Sequence, residues 1–131
     1  ELSDLSRINL TDDKDLIINK IKKAKTDPLP LPSSPNELKE RPEAKNLLGI
    51  YSSITNSTID KTVNEFNGKN FSEFKDKLSQ VLVEKINPIS QEIKKLINDK
   101  GFLDKILLHG HKKANKIASD KVKKMQEIVG F

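Results

Sequence analysis

The sequence predicts an all-α protein, a helical bundle followed by a separate C-terminal helix. Apolar residues recur at the three- and four-residue spacing of an α-helix, and no stretch alternates with the period of two that a strand requires. Two breakers divide the pattern, a proline-rich stretch around residue 30 and a glycine at position 101. With 131 residues the chain has the length of one domain and can bury a core.

Composition excludes several classes of protein. The chain has no cysteine, so disulfides and thiolate metal sites are excluded. No stretch approaches the roughly 18 apolar residues of a membrane span. The net charge is +5, and the basic excess lies mainly in residues 101–131, which carry seven basic and three acidic side chains. Such an excess can hold a polyanion, although a solvated lysine-rich helix face is the simpler interpretation.

The first helix is expected from about Asp12 to Lys25. Thr11 or Asp12 can cap its free amide groups, and lysines crowd its last turns, where the helix dipole favours them. The paired carboxylates Asp12 and Asp13 are therefore interpreted as caps and not as a metal or acid–base site. The apolar stripe of this helix consists of Ile17, Ile21 and Ala24.

A connector is expected over residues 28–41. Four prolines between Pro28 and Pro35 fix φ and remove amide donors, so neither a helix nor a central strand can continue through them. The stretch should be extended and polyproline-like.

Three helices should follow in residues 42–100. Pro42 suits the first position of the second helix, and a short third helix is expected near residues 58–66, with Gly68 as its terminator. Asn70 and Glu73 have the spacing of a capping box at the start of a long fourth helix. Pro88 lies inside that helix and should kink or break it.

The last helix should follow Gly101 and end at Gly130. Its stripe includes small residues that would let another element approach closely, namely Gly110, Ala114 and Ala118. His109 and His111 lie two apart on this helix and point in different directions, and no cysteine or third histidine completes a zinc site. They are interpreted as surface or packing residues, and no catalytic centre or metal site is recognisable in the chain.

Lysines are the remaining candidates for function. Lysine ammonium groups suit phosphate oxygens but lack the bidentate geometry that reads bases, so the residues alone indicate only non-specific RNA contact. The RNA-binding candidates are Lys112, Lys113 and Lys116 in the last helix and Lys20, Lys22 and Lys23 in the first.

Ordered motifs along the whole chain resemble the tryptophanyl-tRNA synthetases of bacterial type. Ser6-Arg7-Ile8-Asn9-Leu10 resembles the stretch just after the Lys-Met-Ser-Lys-Ser loop of these enzymes. No single motif is specific, but their order and spacing are. The further motifs are Ile21-Lys22-Lys23-Ala24, Asn46-Leu47-Leu48-Gly49-Ile50-Tyr51, Phe74-Lys75, Val83-Glu84, Pro88-Ile89, His111-Lys112-Lys113-Ala114 and Val129-Gly130-Phe131.

The resemblance implies a class I aminoacyl-tRNA synthetase as the parent protein. Such an enzyme activates tryptophan with ATP and Mg²⁺ and transfers it to tRNA(Trp). It is a cytoplasmic homodimer without a membrane segment. Its Rossmann catalytic domain, with the His-x-Gly-His and Lys-Met-Ser-Lys-Ser loops, is absent from this sequence. The chain is therefore expected to bind no cofactor and to be inactive by itself.

The resemblance also implies a division of the chain. Residues 1–27 would contain the segment after the loop and the first helix, and residues 42–100 the helical anticodon-binding domain. Residues 101–131 would form a helix that packs back on the catalytic domain of the same protein. A stand-alone helical module that binds protein or RNA is the alternative.

Overall fold

The computed structural model describes residues 4–130, which contain five α-helices and no β-strand. The all-α prediction is thus confirmed. Helix α1 spans Lys14–Lys23, α2 Pro42–Ile54, α3 Ile59–Phe66, α4 Phe71–Asn98 and α5 Lys100–Val129. Two short 3₁₀ helices lie at Asp4–Ser6 and Pro35–Lys39. The chain divides into two compact units, Glu1–Gln91 and Glu92–Phe131.

Helix α1 is shorter than the expected range of 12–25. Its N-cap is Asp13, whose Oδ1 accepts a hydrogen bond from the amide of Leu16 at 2.9 Å. The interpretation as a cap is thus confirmed for Asp13 and wrong for Thr11 and Asp12, because Asp12 accepts instead from the amide of Asn9 at 2.9 Å and bonds Lys20. The helix ends at its C-cap Ala24, which has a non-helical ψ of 133°.

The proline-rich stretch contributes to the core. Leu31 and Pro32 are buried, and the backbone of Leu31 bonds the carbonyl of Lys69 at 2.8 Å and the amide of Gly68 at 3.3 Å. A 3₁₀ helix then follows at Pro35–Lys39 and buries Leu38. The prediction of an extended connector is therefore wrong for Pro35–Lys39, because Ser34 and Glu37 form a capping box that starts the 3₁₀ helix.

The ends of α2, α3 and α4 agree with the sequence signals. Pro42 is the first residue of α2. Thr58 caps α3 through a hydrogen bond from the amide of Lys61. Gly68 has a φ of +68°, a conformation that glycine adopts without strain. Asn70 Oδ1 accepts from the amide of Glu73 at 2.8 Å, immediately before α4.

Of the kink or break expected at Pro88, the break is not found, and the break expected at Gly101 is shifted. Helix α4 continues through Pro88 without a break. Loss of one hydrogen bond is tolerated there because Ile86 and Ser90, on either side of it, are buried. The break expected at Gly101 falls at Asp99, whose Oδ1 accepts from the amide of Phe102 at 3.0 Å, so that α5 begins at Lys100. Gly130, with a φ of +81°, ends α5 as predicted.

The core lies in the unit Glu1–Gln91. Three aromatic rings meet at its centre: Phe66 lies 4.9 Å from Tyr51 and 4.8 Å from Phe74 between centroids, both edge to face. These rings join α2, α3 and α4, and Phe74 is fully buried. Around them pack apolar side chains of the four α-helices and of the 3₁₀ helix Pro35–Lys39, including Ile17, Ile21, Leu38, Leu47, Leu48, Val63, Leu78 and Leu82.

The second unit contains the end of α4 and all of α5. Helix α5 has no buried residue. Its apolar side chains are exposed, with Leu107 at 69%, Ile117 at 59% and Met125 at 66% of full exposure. The small residues Gly110, Ala114 and Ala118 are exposed as well.

Replacement of Phe74 by Ala should destabilise the first unit strongly. The change leaves a cavity between α2, α3 and α4 and should lower the free energy of unfolding by about 3–5 kcal/mol. Urea unfolding followed by circular dichroism measures this loss. The matched control is Phe102→Ala, because Phe102 is 45% exposed in α5. An equal effect of both substitutions would contradict a core centred on Phe74.

Candidate nucleic-acid interface

Four of the eight lysines of α5 form a stripe along one face of the helix. Positions 105, 112, 116 and 123 are spaced by seven, four and seven residues, so they return to the same face of a helix with 3.6 residues per turn. All four are lysines, and all are exposed. The stripe Lys105–Lys112–Lys116–Lys123 extends over roughly 27 Å of helix, at 1.5 Å per residue.

This stripe lies opposite the apolar residues of α5. Gly110, Ala114 and Leu107 fall about half a turn away from Lys112 by helical spacing. Within the described residues, the lysines of α5 take part in no ion pair. Four lysines thus share one face of the helix, opposite Leu107, Gly110 and Ala114.

Lys113 is separated from the stripe. One residue advances about 100° around a helix, so Lys113 projects to the side of Lys112 and Lys116. It is exposed. Of the three RNA-binding candidates in α5, Lys112 and Lys116 therefore share one face of the helix. Lys113 extends the basic surface to one side of that face.

The three candidates in α1 have two different environments. Lys20 is 3% exposed, and its Nζ lies 2.8 Å from Asp12 Oδ2 and 3.2 Å from Asp4 Oδ2. These contacts raise the pKa of Lys20, chiefly through the hydrogen bond to Asp12. Its ammonium is committed within the fold and is not available to a phosphate. Lys22 and Lys23 are exposed.

The buried pair attaches the N-terminal segment to α1. Burial raises the pKa of Asp12, but hydrogen bonds from Lys20 and Asn9 lower it by more, so that it lies below its ordinary value. Asn9 adds a backbone bond to Asp12 and a side-chain bond to Asp4 at 3.1 Å. Residues 4–12 are thus held against the helix by charge and hydrogen bonds.

The C-terminal end of α1 is held by a lysine from a distant part of the sequence. Lys75 Nζ donates to the carbonyl of Ala24 at 2.6 Å and to that of Lys22 at 3.1 Å. It satisfies carbonyls that have no partner within the helix, and burial lowers its pKa. Sequence spacing gave no signal for this contact, because the partners are more than 50 residues apart.

A bidentate ion pair fixes the segment after α1. Arg41 donates to Asp27 through Nε at 3.0 Å and through Nη2 at 2.6 Å. The hydrogen bond from Arg41 is the main reason that the pKa of Asp27 is lowered. Both arginine and aspartate are therefore structural here.

Neither a metal site nor a membrane span is found among residues 4–130. No three histidine or acidic side chains lie close enough to hold a metal ion, and His111 Nε2 lies 3.4 Å from Asn115 Nδ2 instead. No helix in the described range is long and apolar enough to cross a membrane.

Comparison of the sequence with known proteins finds relatives of this chain. The tryptophan–tRNA ligase of Rhizobium meliloti is 45% identical over 129 residues, 98% of this chain and 36% of that protein. That of Rickettsia felis is 44% identical over 131 residues, all of this chain and 39% of that protein. Over its whole length, the chain is homologous to bacterial tryptophan–tRNA ligases. The relative in Caulobacter vibrioides is 41% identical over 129 residues.

The match confirms the resemblance predicted from the ordered motifs. The chain spans between 36% and 39% of the length of these tryptophan–tRNA ligases, which is consistent with a C-terminal portion of such a protein. No protein-family model matches the chain.

Acid should destabilise the fold through its paired carboxylates. A group whose pKa is lower in the folded than in the unfolded chain stabilises the fold above the unfolded pKa, and that stability is lost as the pH falls through the folded pKa. The melting temperature should therefore decline as the pH drops below about 4, the ordinary pKa of aspartate. In that range the unfolded chain takes up protons, while the lowered pKa values of Asp12 and Asp27 keep these groups ionised in the fold.

The Asp27→Asn variant should show a flatter decline in acid, because it has already lost that contribution. Thermal unfolding at a series of pH values measures it, with Asp60→Asn on the exposed surface of α3 as the matched control. Parallel acid profiles for Asp27→Asn and the unsubstituted chain would refute a role for this pair.

Proposed function

We propose that this chain is the tRNA-binding part of a tryptophan–tRNA ligase. The main support for this proposal is that the chain is similar along its whole length to tryptophan–tRNA ligases. The parent protein would activate tryptophan with ATP and Mg²⁺ and transfer it to tRNA(Trp). ATP would be bound by a catalytic domain in the part of the ligase that this chain does not span.

The basic stripe of α5 supports this proposal. A lysine ammonium is a compact charge on a flexible stem, suited to phosphate oxygens and not to the bidentate reading of a base. Lys105, Lys112, Lys116 and Lys123 would follow the RNA backbone, with Lys113 at the side of the stripe. Lys22 and Lys23 are a second candidate contact on α1. Lys20 is left out of the proposal because it is buried and paired.

The remaining partners are proposed on the same basis. The exposed apolar face of α5 would pack on the catalytic domain of the same protein, and the parent would be a cytoplasmic homodimer. The exposure of Leu107, Ile117 and Met125 also favours the alternative, a helical module that binds another protein. Binding of tRNA separates the two functions, because a protein-binding module needs no RNA.

The substitution of Lys112, Lys113 and Lys116 together by Ala should weaken tRNA binding and its dependence on salt. Each lost Lys–phosphate contact removes about 0.7–0.9 from the slope of log affinity against log salt, so the slope should flatten by roughly two to three. Fluorescence anisotropy with labelled tRNA(Trp) measures it. Alanine preserves helix propensity, so the fold should survive.

A matched control replaces three exposed lysines of the first unit and the end of α4, namely Lys61, Lys85 and Lys94. It removes the same charge and should leave most of the salt dependence in place. Equal slopes for the two triple variants would show that net charge, and not the face of α5, holds the RNA.

The chain alone should form no tryptophanyl-adenylate. Stabilisation of transition-state charge by positioned groups is usually the largest catalytic contribution, and the nucleotide-binding loops with those groups are absent from this sequence. Tryptophan-dependent pyrophosphate exchange is the assay. Exchange by the purified chain above that of a mock preparation would refute this prediction.

A further inference from the structure

Asn67 and Gly68 form the turn that connects α3 to α4. Of the eleven asparagines in the chain, only Asn67 is followed by glycine. Asn67 has a φ of −46° and a ψ of 122°, and Gly68 has a φ of +68°. These angles are typical of the two central residues of a type II turn. The amide of Lys69 closes the turn by donating to the carbonyl of Phe66 at 3.0 Å.

An asparagine followed by glycine has the atoms that spontaneous deamidation requires. The backbone nitrogen of Gly68 attacks the side-chain carbon Cγ of Asn67 and forms a new C–N bond. The side-chain nitrogen Nδ2 then leaves as ammonia, taking the proton of the attacking nitrogen. The resulting five-membered imide takes up one water molecule and opens to aspartate or to isoaspartate. Glycine hinders the attack least, because it has no Cβ.

Both residues are accessible to the water that the reaction consumes. Asn67 and Gly68 are exposed. Apart from its chain neighbours, no heavy atom lies within 4 Å of the position that a Cβ on Gly68 would occupy. Gly68 also lines a surface depression of about 260 Å³. Burial therefore does not protect this pair of residues.

The conformation of the folded turn holds the reacting atoms apart. At a ψ of 122°, the Gly68 nitrogen is turned away from the side chain of Asn67. Ring closure thus requires rotation of the peptide plane between the two residues. In the fold, the amide of Gly68 donates to the carbonyl of Leu31 at 3.3 Å, and this rotation breaks that bond. Deamidation of the folded chain must therefore proceed through a local opening of the turn.

Leu31 joins the proline-rich stretch to the same turn. Its amide donates to the carbonyl of Lys69 at 2.8 Å, and both Leu31 and Pro32 are buried. Isoaspartate adds one carbon atom to the backbone between Phe66 and Gly68, because its chain runs through Cβ and Cγ. Since Phe66 is fixed in the aromatic core, the extra atom displaces the residues that pair with Leu31. Leu31 should then lose hydrogen bonds, burial or both.

We propose that Asn67 is a site of spontaneous deamidation, which the hydrogen bond between Leu31 and Gly68 slows in the folded chain. The only co-reactant is water. The isoaspartate product detaches the proline-rich stretch from the turn, whereas the aspartate product adds a negative charge and leaves the backbone unchanged. This inference does not depend on the proposed RNA binding.

Peptide mapping by mass spectrometry tests the site. The 131-residue chain is incubated in mildly alkaline buffer, either folded or unfolded in urea at the same temperature. Asn67 should deamidate before any other asparagine under both conditions. The reaction should be about tenfold slower in the folded chain, the effect of one or two backbone hydrogen bonds. The Asn67→Gln variant is the control, because its longer side chain closes a six-membered ring less readily.

The Leu31→Ala variant tests the protection by Leu31. It weakens the attachment of the proline-rich stretch and should accelerate deamidation of the folded chain by about fivefold or more. The matched control is Leu38→Ala. Leu31 is 2% and Leu38 5% exposed, so both changes remove a leucine from the same core, but Leu38 makes no hydrogen bond to the turn. Urea unfolding of both variants gives their global stability for comparison.

The effect of the product is measured on the isolated isoaspartate form. It should melt at a lower temperature than the Asn67→Asp variant, which has the same charge without the extra backbone atom. Equal melting temperatures would overturn the proposed detachment of the proline-rich stretch.

Two other results would overturn the proposal. Earlier deamidation of another asparagine, or no reaction at Asn67, rules out the site. Equal rates in the folded and the unfolded chain, or equal acceleration by Leu31→Ala and Leu38→Ala, rule out protection by Leu31. Deamidation at Asn67 that is slowed by folding and accelerated selectively by Leu31→Ala supports it.

Discussion

The packing of Phe74 against Tyr51 and Phe66 is the contact on which the first unit depends. Helices α2 and α3 have only 13 and eight residues, and isolated helices of that length are marginal in water. They persist because each contributes a ring to one buried cluster, with centroids 4.8 Å and 4.9 Å apart in the two edge-to-face pairs. Tyr51 keeps its hydroxyl satisfied by Glu65 at 3.2 Å, so the cluster buries no unpaired polar atom of its own.

Charged side chains hold the segments on either side of α1 in place. Lys20 binds Asp12, Arg41 binds Asp27, and Lys75 occupies carbonyls at the end of α1. Removal of one partner from a buried pair leaves an uncompensated charge, which is more costly than loss of an exposed pair. The Lys75 contact joins α4 to the end of α1, and a cleft lies between these two helices.

The two units differ in what they leave exposed. The first unit buries its apolar residues and exposes a cleft with hydrogen-bonding groups on its rim. Helix α5 buries none of its residues and exposes both an apolar and a basic face.

The sequence by itself determined the all-α class, most helix ends and the homology to tryptophan–tRNA ligases. These properties depend on local spacing, on caps such as Asn70 and Gly130, and on ordered motifs. Tertiary structure alone decided that Lys20 is buried while Lys22 and Lys23 are exposed, that α4 continues through Pro88, and that Lys75 completes α1. It also decided that Ser79 is buried beside a cleft. The physical reason is that a lysine, a serine or a proline has the same local propensity in either environment, and only the packing of distant residues determines whether its polar groups meet water, a partner or neither.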